Sequence, residues 1–189
     1  MRRLLVSFAL TVALPICVFG DLTGLGVITT RGWVSYAVGS KWKVLSMQTQ
    51  PPTTAVAFQI ANPADEGTPD STNVAIMTFE ADSKEAMASL KTLVSKIQSQ
   101  AKPKKYKKDW DLYIHQDKQG QTDYVLCDAV RQVPGASVLI RISWPHLKGN
   151  APDYDSQMEE AYLSLLDSVE GGLGPKPKKD GEVYRRPTK

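Results

Sequence analysis

Three side chains carry the reactivity that nucleophilic or acid–base chemistry needs: Cys127, His115 and His146. A cysteine attacks as its thiolate, so a catalytic cysteine needs a base or a positive neighbour in a partly exposed site. Cys127 stands between Leu126 and Asp128 in a strand-like stretch, where a small thiol reads as an ordinary core residue. Neither histidine sits in a His-Glu-x-x-His pair, and no Gly-x-Ser-x-Gly turn is present. Gly24 and Gly26 do not join a strand to a helix, so they form no phosphate-cradling loop. The expectation is a protein with no catalytic set, no metal site and no cofactor. Its rival is an envelope hydrolase that uses Cys127 with a histidine.

Two charged stretches are the candidate binding segments. Residues 61–73 are polar and hold Asp65, Glu66 and Asp70 among two prolines and a glycine. Their spacing does not match an EF-hand loop. Loops on a rigid scaffold often carry recognition, so the stretch reads as a protein-partner site. Lys104, Lys105, Lys107 and Lys108, with Lys102, crowd around Pro103 and Tyr106. Such a run suits an acidic partner or an anionic membrane surface, and is otherwise a solvated helix-to-strand connection.

The N-terminus sets the compartment. Arg2 and Arg3 precede an uncharged apolar run, Leu4 to Phe19, and Val18 and Gly20 stand at −3 and −1 of a cut before Asp21. That is the layout of a cleaved signal peptide, residues 1–20, and the run is short of the roughly 20 apolar residues a membrane span needs. Leu14-Pro15-Ile16-Cys17 is a poor lipobox because Ile16 stands where a small residue belongs, so a lipid anchor on Cys17 is not expected. With Cys17 removed, Cys127 has no disulfide partner. Asn62, Asn73 and Asn150 all lack the hydroxyl residue of a glycosylation acceptor. A bacterial periplasm fits these features.

Charge is unevenly spread. Without Arg2 and Arg3 the formal charge falls from +3 to +1, and residues 171–189 hold six basic against two acidic residues. The body, 21–170, is therefore acidic at −3, which argues against a nucleic-acid partner, since that needs a basic face on a folded domain.

About 150 residues remain between signal and tail, enough for one domain. Residues 21–30 read as a linker, 31–170 as a single domain, and 171–189 as a disordered basic Pro/Gly-rich tail. Alternation or apolar runs predict strands at Trp33–Val38, Val44–Thr49, Ala55–Ile60, Val74–Phe79, 110–114, Tyr124–Gln132 and 138–144. Asp82 and Glu85 suggest a capping box for a helix whose inward face is Ala86, Met87, Leu90, Leu93, Val94 and Ile97. A second helix is expected from about Tyr154 to Val169, capped by Ser156 and Glu159 and ended by Gly171-Gly172. Trp33, Trp42, Trp110 and Trp144, on or beside strands, should fill core.

These elements give an α+β fold: an antiparallel sheet of about six strands with two main helices packed on it. The order, with the opening Trp33-Val34-Ser35-Tyr36-Ala37-Val38-Gly39-Ser40-Lys41-Trp42, resembles the Mog1/PsbP-type α/β/α sandwich across residues 31–170. The resemblance implies that fold and transfers no functional residue. Taken together, the expectation is a non-enzymatic exported binding or accessory protein acting through a protein partner. That partner is either an envelope complex or a toxin that the chain neutralises as an immunity protein. A lipid- or cation-binding envelope protein is the remaining alternative.

Overall fold

The computed structural model describes residues 22–49, 51–61, 71–107, 109–147 and 149–175. The apolar N-terminal segment, Asp65, Glu66, Asp70, Lys108 and the tail beyond residue 175 lie outside the described residues. The chain runs β1 (Leu22–Ile28), β2 (Gly32–Gly39), β3 (Lys43–Gln48), β4 (Thr53–Ile60), β5 (Thr72–Glu80), α1 (Lys84–Gln98), β6 (Lys104–Tyr106), β7 (Trp110–Gln119), β8 (Thr122–Val133), β9 (Ala136–Pro145), α2 (Tyr154–Ser168) and β10 (Glu170–Leu173).

Seven strands form one antiparallel sheet in the order β3-β4-β5-β9-β8-β7-β6, and β1-β2-β10 form a second. The period-2 alternation of each strand separates two cores. Val56, Phe58, Ile76, Ile140, Ile142 and Cys127 share a core with Val34, Tyr36 and Val38 of the small sheet and with Met158, Tyr162 and Leu166 of α2. Their neighbours Leu139 and Phe79 turn to the other face and pack with Ala86, Leu90 and Ile97 of α1. The large sheet therefore lies between α1 on one face and α2 plus the small sheet on the other. The α+β class holds, with seven strands in the main sheet instead of about six.

The seventh strand is β6, which sits inside the lysine run: lysines hide the alternation that marks a strand. The stretch 21–30 is not a linker over most of its length, because all seven residues of β1 pair with β2, from Leu22↔Gly39 to Ile28↔Trp33. Gly171-Gly172 do more than end α2. They continue as β10, where a Cβ on Gly171 would lie 2.7 Å from Val133 and one on Gly172 2.9 Å from the Trp33 ring. Only glycine lets β10 lie that close to β2 and β8.

The helix caps also differ from expectation. Ser83, with extended backbone, caps α1 and its hydroxyl accepts from the Ala86 N–H at 3.2 Å, while Asp82 pairs with Arg31 at 2.7 Å. A Ser83→Ala variant is expected to lose about 1 kcal/mol in urea unfolding, the usual worth of a helix N-cap. At α2 the N-cap is Asp153, and its carboxylate accepts from the Gln157 side chain at 2.6 Å. Ser156 and Glu159 sit inside the helix instead. Leu93, placed on the inward face of α1 by spacing, is 37% exposed. Of the tryptophans, Trp42, Trp110 and Trp144 are buried and Trp33 is half-buried.

Candidate functional site

The strand register separates the residues that a cysteine enzyme would need together. Ile114 stands opposite Cys127, so Cys127 shares the α2-facing side of the sheet with Ile114. His115, the next residue along β7, pairs with Leu126 and belongs to the opposite face. His146 lies four residues past Ile142, the β9 partner of Cys127, which is about 13 Å along an extended chain. The thiol itself is 2% exposed. Burial first, then the nearby Glu159 and Asp128 charges, push it up to about 12. A thiol in that state is protonated near neutrality and a poor nucleophile.

His146 has a different partner. Asp155, in the first turn of α2, accepts from the Trp144 indole N–H at 3.0 Å and lies 3.2 Å from His146 Nδ1. This contact ties the end of β9 to the start of α2. Thr72 and Tyr154 share a buried hydrogen bond of 2.8 Å that fixes the same end of the helix to β5. Tyr162 donates to the Ile140 carbonyl at 2.8 Å and anchors its middle. Among the described residues, no cluster of three or more metal-ligating side chains occurs, and no helix is long and apolar enough to cross a membrane.

The lysine stretch forms one edge of the main sheet, and its charges are partly answered. Lys105 pairs with Asp111 at 2.6 Å, and Lys107 pairs with Asp167 of α2 at 2.5 Å. Tyr106 donates to the same Asp167, and the Lys107 ammonium lies 5.4 Å from the Tyr106 ring centre. Asp167 holds Lys107 above the usual lysine range. Lys104 is exposed on β6. The sequence offers the four lysines and the acidic loop as binding segments. Lys105 and Lys107 prove to be bound up with the fold's own carboxylates, while Asp65, Glu66, Asp70 and Lys108 fall outside the described residues.

The opposite edge, β3, is a surface that periodicity did not single out. Val44 and Leu45 are 47% and 49% exposed. The register with β4 shifts between Val44 and Ser46, so Leu45 is the extra residue of a bulge. A signal was available in the sequence: two consecutive aliphatics interrupt the alternation of a strand. The two edges thus contrast. One is three residues long, basic and ion-paired; the other is six residues long with two half-exposed aliphatics and a single lysine, Lys43.

No protein-family model matches the chain, and no curated protein matches it. Among solved structures, a protein from Bacteroides thetaiotaomicron VPI-5482 is similar over 80% of this chain, at 15% identity and a TM-score of 0.44. This chain spans about half of that protein, 47% of its length. LpqN, described as involved in cell envelope biogenesis of Mycobacterium tuberculosis, is similar over 80% of this chain and 92% of its own, at 9% identity and a TM-score of 0.44. Neither carries the Mog1/PsbP name, and likeness at this level assigns no activity or partner.

Proposed function

We propose that this chain is a non-enzymatic, exported accessory protein that works by binding a protein partner along the β3 edge. The observation that carries the reading is the half-exposed pair Val44 and Leu45 on an edge strand. An edge strand offers a row of backbone donors and acceptors, and its side chains supply selectivity when an extended segment of a partner adds to the sheet. Export rests on the apolar segment that follows Arg2 and Arg3. The absence of catalysis rests on the register that separates Cys127 from His115, together with the protonated state of the thiol. Whether the partner is an envelope component or a toxin held inactive is decided by its identity.

The test is capture from a native envelope extract, using the chain from Asp21 with a C-terminal tag. One stoichiometric partner is expected with the wild type. Capture is expected to fall at least tenfold with Val44→Lys/Leu45→Lys, because each lysine places a charge where the partner's backbone must dock. Both positions are half-exposed, so the far-ultraviolet circular dichroism should not change. A partner held equally by the variant would move the site elsewhere, and an empty wild-type capture would remove the reading.

A further inference from the structure

β1 is the outer strand of the small sheet, and among the described residues no strand lies beyond it. Its pairing with β2 is continuous over seven residues, with no bulge. The segment Leu22-Thr23-Gly24-Leu25-Gly26-Val27-Ile28 contains no charge and no proline. Natural edge strands are usually blunted by a lysine, a proline, a bulge or shortness. Two of the other edges follow that rule: β6 has three residues with two lysines, and β10 has four residues. β1 carries none of these devices.

The segment is also its own complement. Laid antiparallel about a two-fold axis at Leu25, it sets Leu25 against Leu25, Thr23 against Val27, Gly24 against Gly26 and Leu22 against Ile28. No like charges meet: Leu25 faces Leu25, Val27 faces Thr23, and each glycine faces a glycine. Leu25 and Val27 pack against the main core from one face of the small sheet. An even register of this kind keeps the core-facing sides of both copies on the same side of the joined sheet, whereas a one-residue slip inverts one of them.

We propose that the protein forms a two-fold dimer in which β1 of one copy pairs antiparallel with β1 of a second, joining two three-stranded sheets into one. Seven residues a side supply about six to eight backbone hydrogen bonds, within the range of about 10 ± 5 seen in specific interfaces. The contact is narrow, so it sits at the small end of interface sizes, and dissociation is expected in the micromolar range, the weak end of the μM-to-pM span of protein interfaces. The pairing stands apart from the partner site on β3, which lies in the other sheet.

Sedimentation velocity of the chain from Asp21 tests it, run from about 1 to 200 μM to bracket that range. The wild type is expected to shift from one chain mass to two. Leu22→Lys/Ile28→Lys sets lysine against lysine at both ends of the joint and is expected to stay monomeric throughout. Leu22→Glu/Ile28→Lys sets each lysine against the partner's glutamate and is expected to dimerise again. Circular dichroism on both variants reports whether each is folded. The Val44→Lys/Leu45→Lys variant should dimerise like the wild type. A wild type that remains monomeric, two β1 variants that behave alike, or a dimer lost only on the β3 substitution would each overturn the pairing.

Discussion

Replacing Arg141 with alanine is expected to lower the stability of the fold by about 3 kcal/mol, the low end of the cost of breaking a buried ion pair. Arg141 on β9 stands directly opposite Asp128 on β8. Its Nε and Nη2 reach the two carboxylate oxygens at 2.7 and 3.0 Å. Asp128 is wholly buried, while the arginine side chain is 41% exposed, so water screens one side of the pair and the upper end of the range does not apply. The hydrogen bond to Asp128 holds the guanidinium above even the usual arginine range. Truncating Arg141 leaves a carboxylate in the sheet with its principal cation gone. Removing both charges together is a different experiment. Asp128→Leu/Arg141→Met exchanges the pair for apolar volume and should recover most of the loss. Urea unfolding with an unchanged m-value would show both effects. A single-variant cost below about 1 kcal/mol would mean the pair behaves as a surface bridge, with water reaching Asp128.

The same pair shows where periodicity stops being informative. Val138, Ile140, Ile142 and Trp144 alternate, and β9 is found around them. Across β8, Ile142 and Ile140 stand opposite Cys127 and Ala129 on that face, while Arg141 stands opposite Asp128 on the other, and a charged residue with no exposure cannot be recognised without its partner. The helices were legible from their apolar spacing, whereas the caps were not. Asp82 and Ser83 are both good N-cap types, and only the backbone decides that Ser83 meets the Ala86 N–H. The three missed strands share a cause. β1 and β10 hold glycines that read as breaks, and β6 holds lysines that read as solvated loop. In each the pairing is settled by the neighbouring strand, so local composition misleads. The candidate surface was hidden for the opposite reason. Val44 and Leu45 have the types of core residues, and only their place at a bulged sheet edge leaves them half-exposed.

Stability is expected to fall steeply above pH 8.5, with Cys127 as the first contributor. An unfolded cysteine titrates near pH 8.5, whereas burial pushes the folded thiol up to about 12. Between those values the unfolded chain gives up a proton that the folded chain keeps. The unfolded state then binds fewer protons, and stability decreases as pH rises. The contribution is whole below about pH 8.5 and disappears by about 12, at up to about 1.4 kcal/mol per pH unit. From pH 8.5 to 10.5 that amounts to roughly 2–3 kcal/mol. Tyr36 and Tyr162, whose hydroxyls burial also holds above the ordinary tyrosine value, add losses of the same sign from about pH 10. Cys127→Ala removes the first of these slopes. The variant should be less stable than wild type at pH 7, by about 1 kcal/mol for the sulfur volume lost from the core. Its stability should then stay flat to about pH 9.5, so that the two curves cross. Parallel curves would mean that another group drives the alkaline loss. The same variant bears on function, because the proposed non-enzymatic reading makes the buried Cys127 a core residue. Partner capture at pH 7 by Cys127→Ala should therefore equal that of the wild type, and a loss of capture or phenotype in a folded variant would return the cysteine to the site.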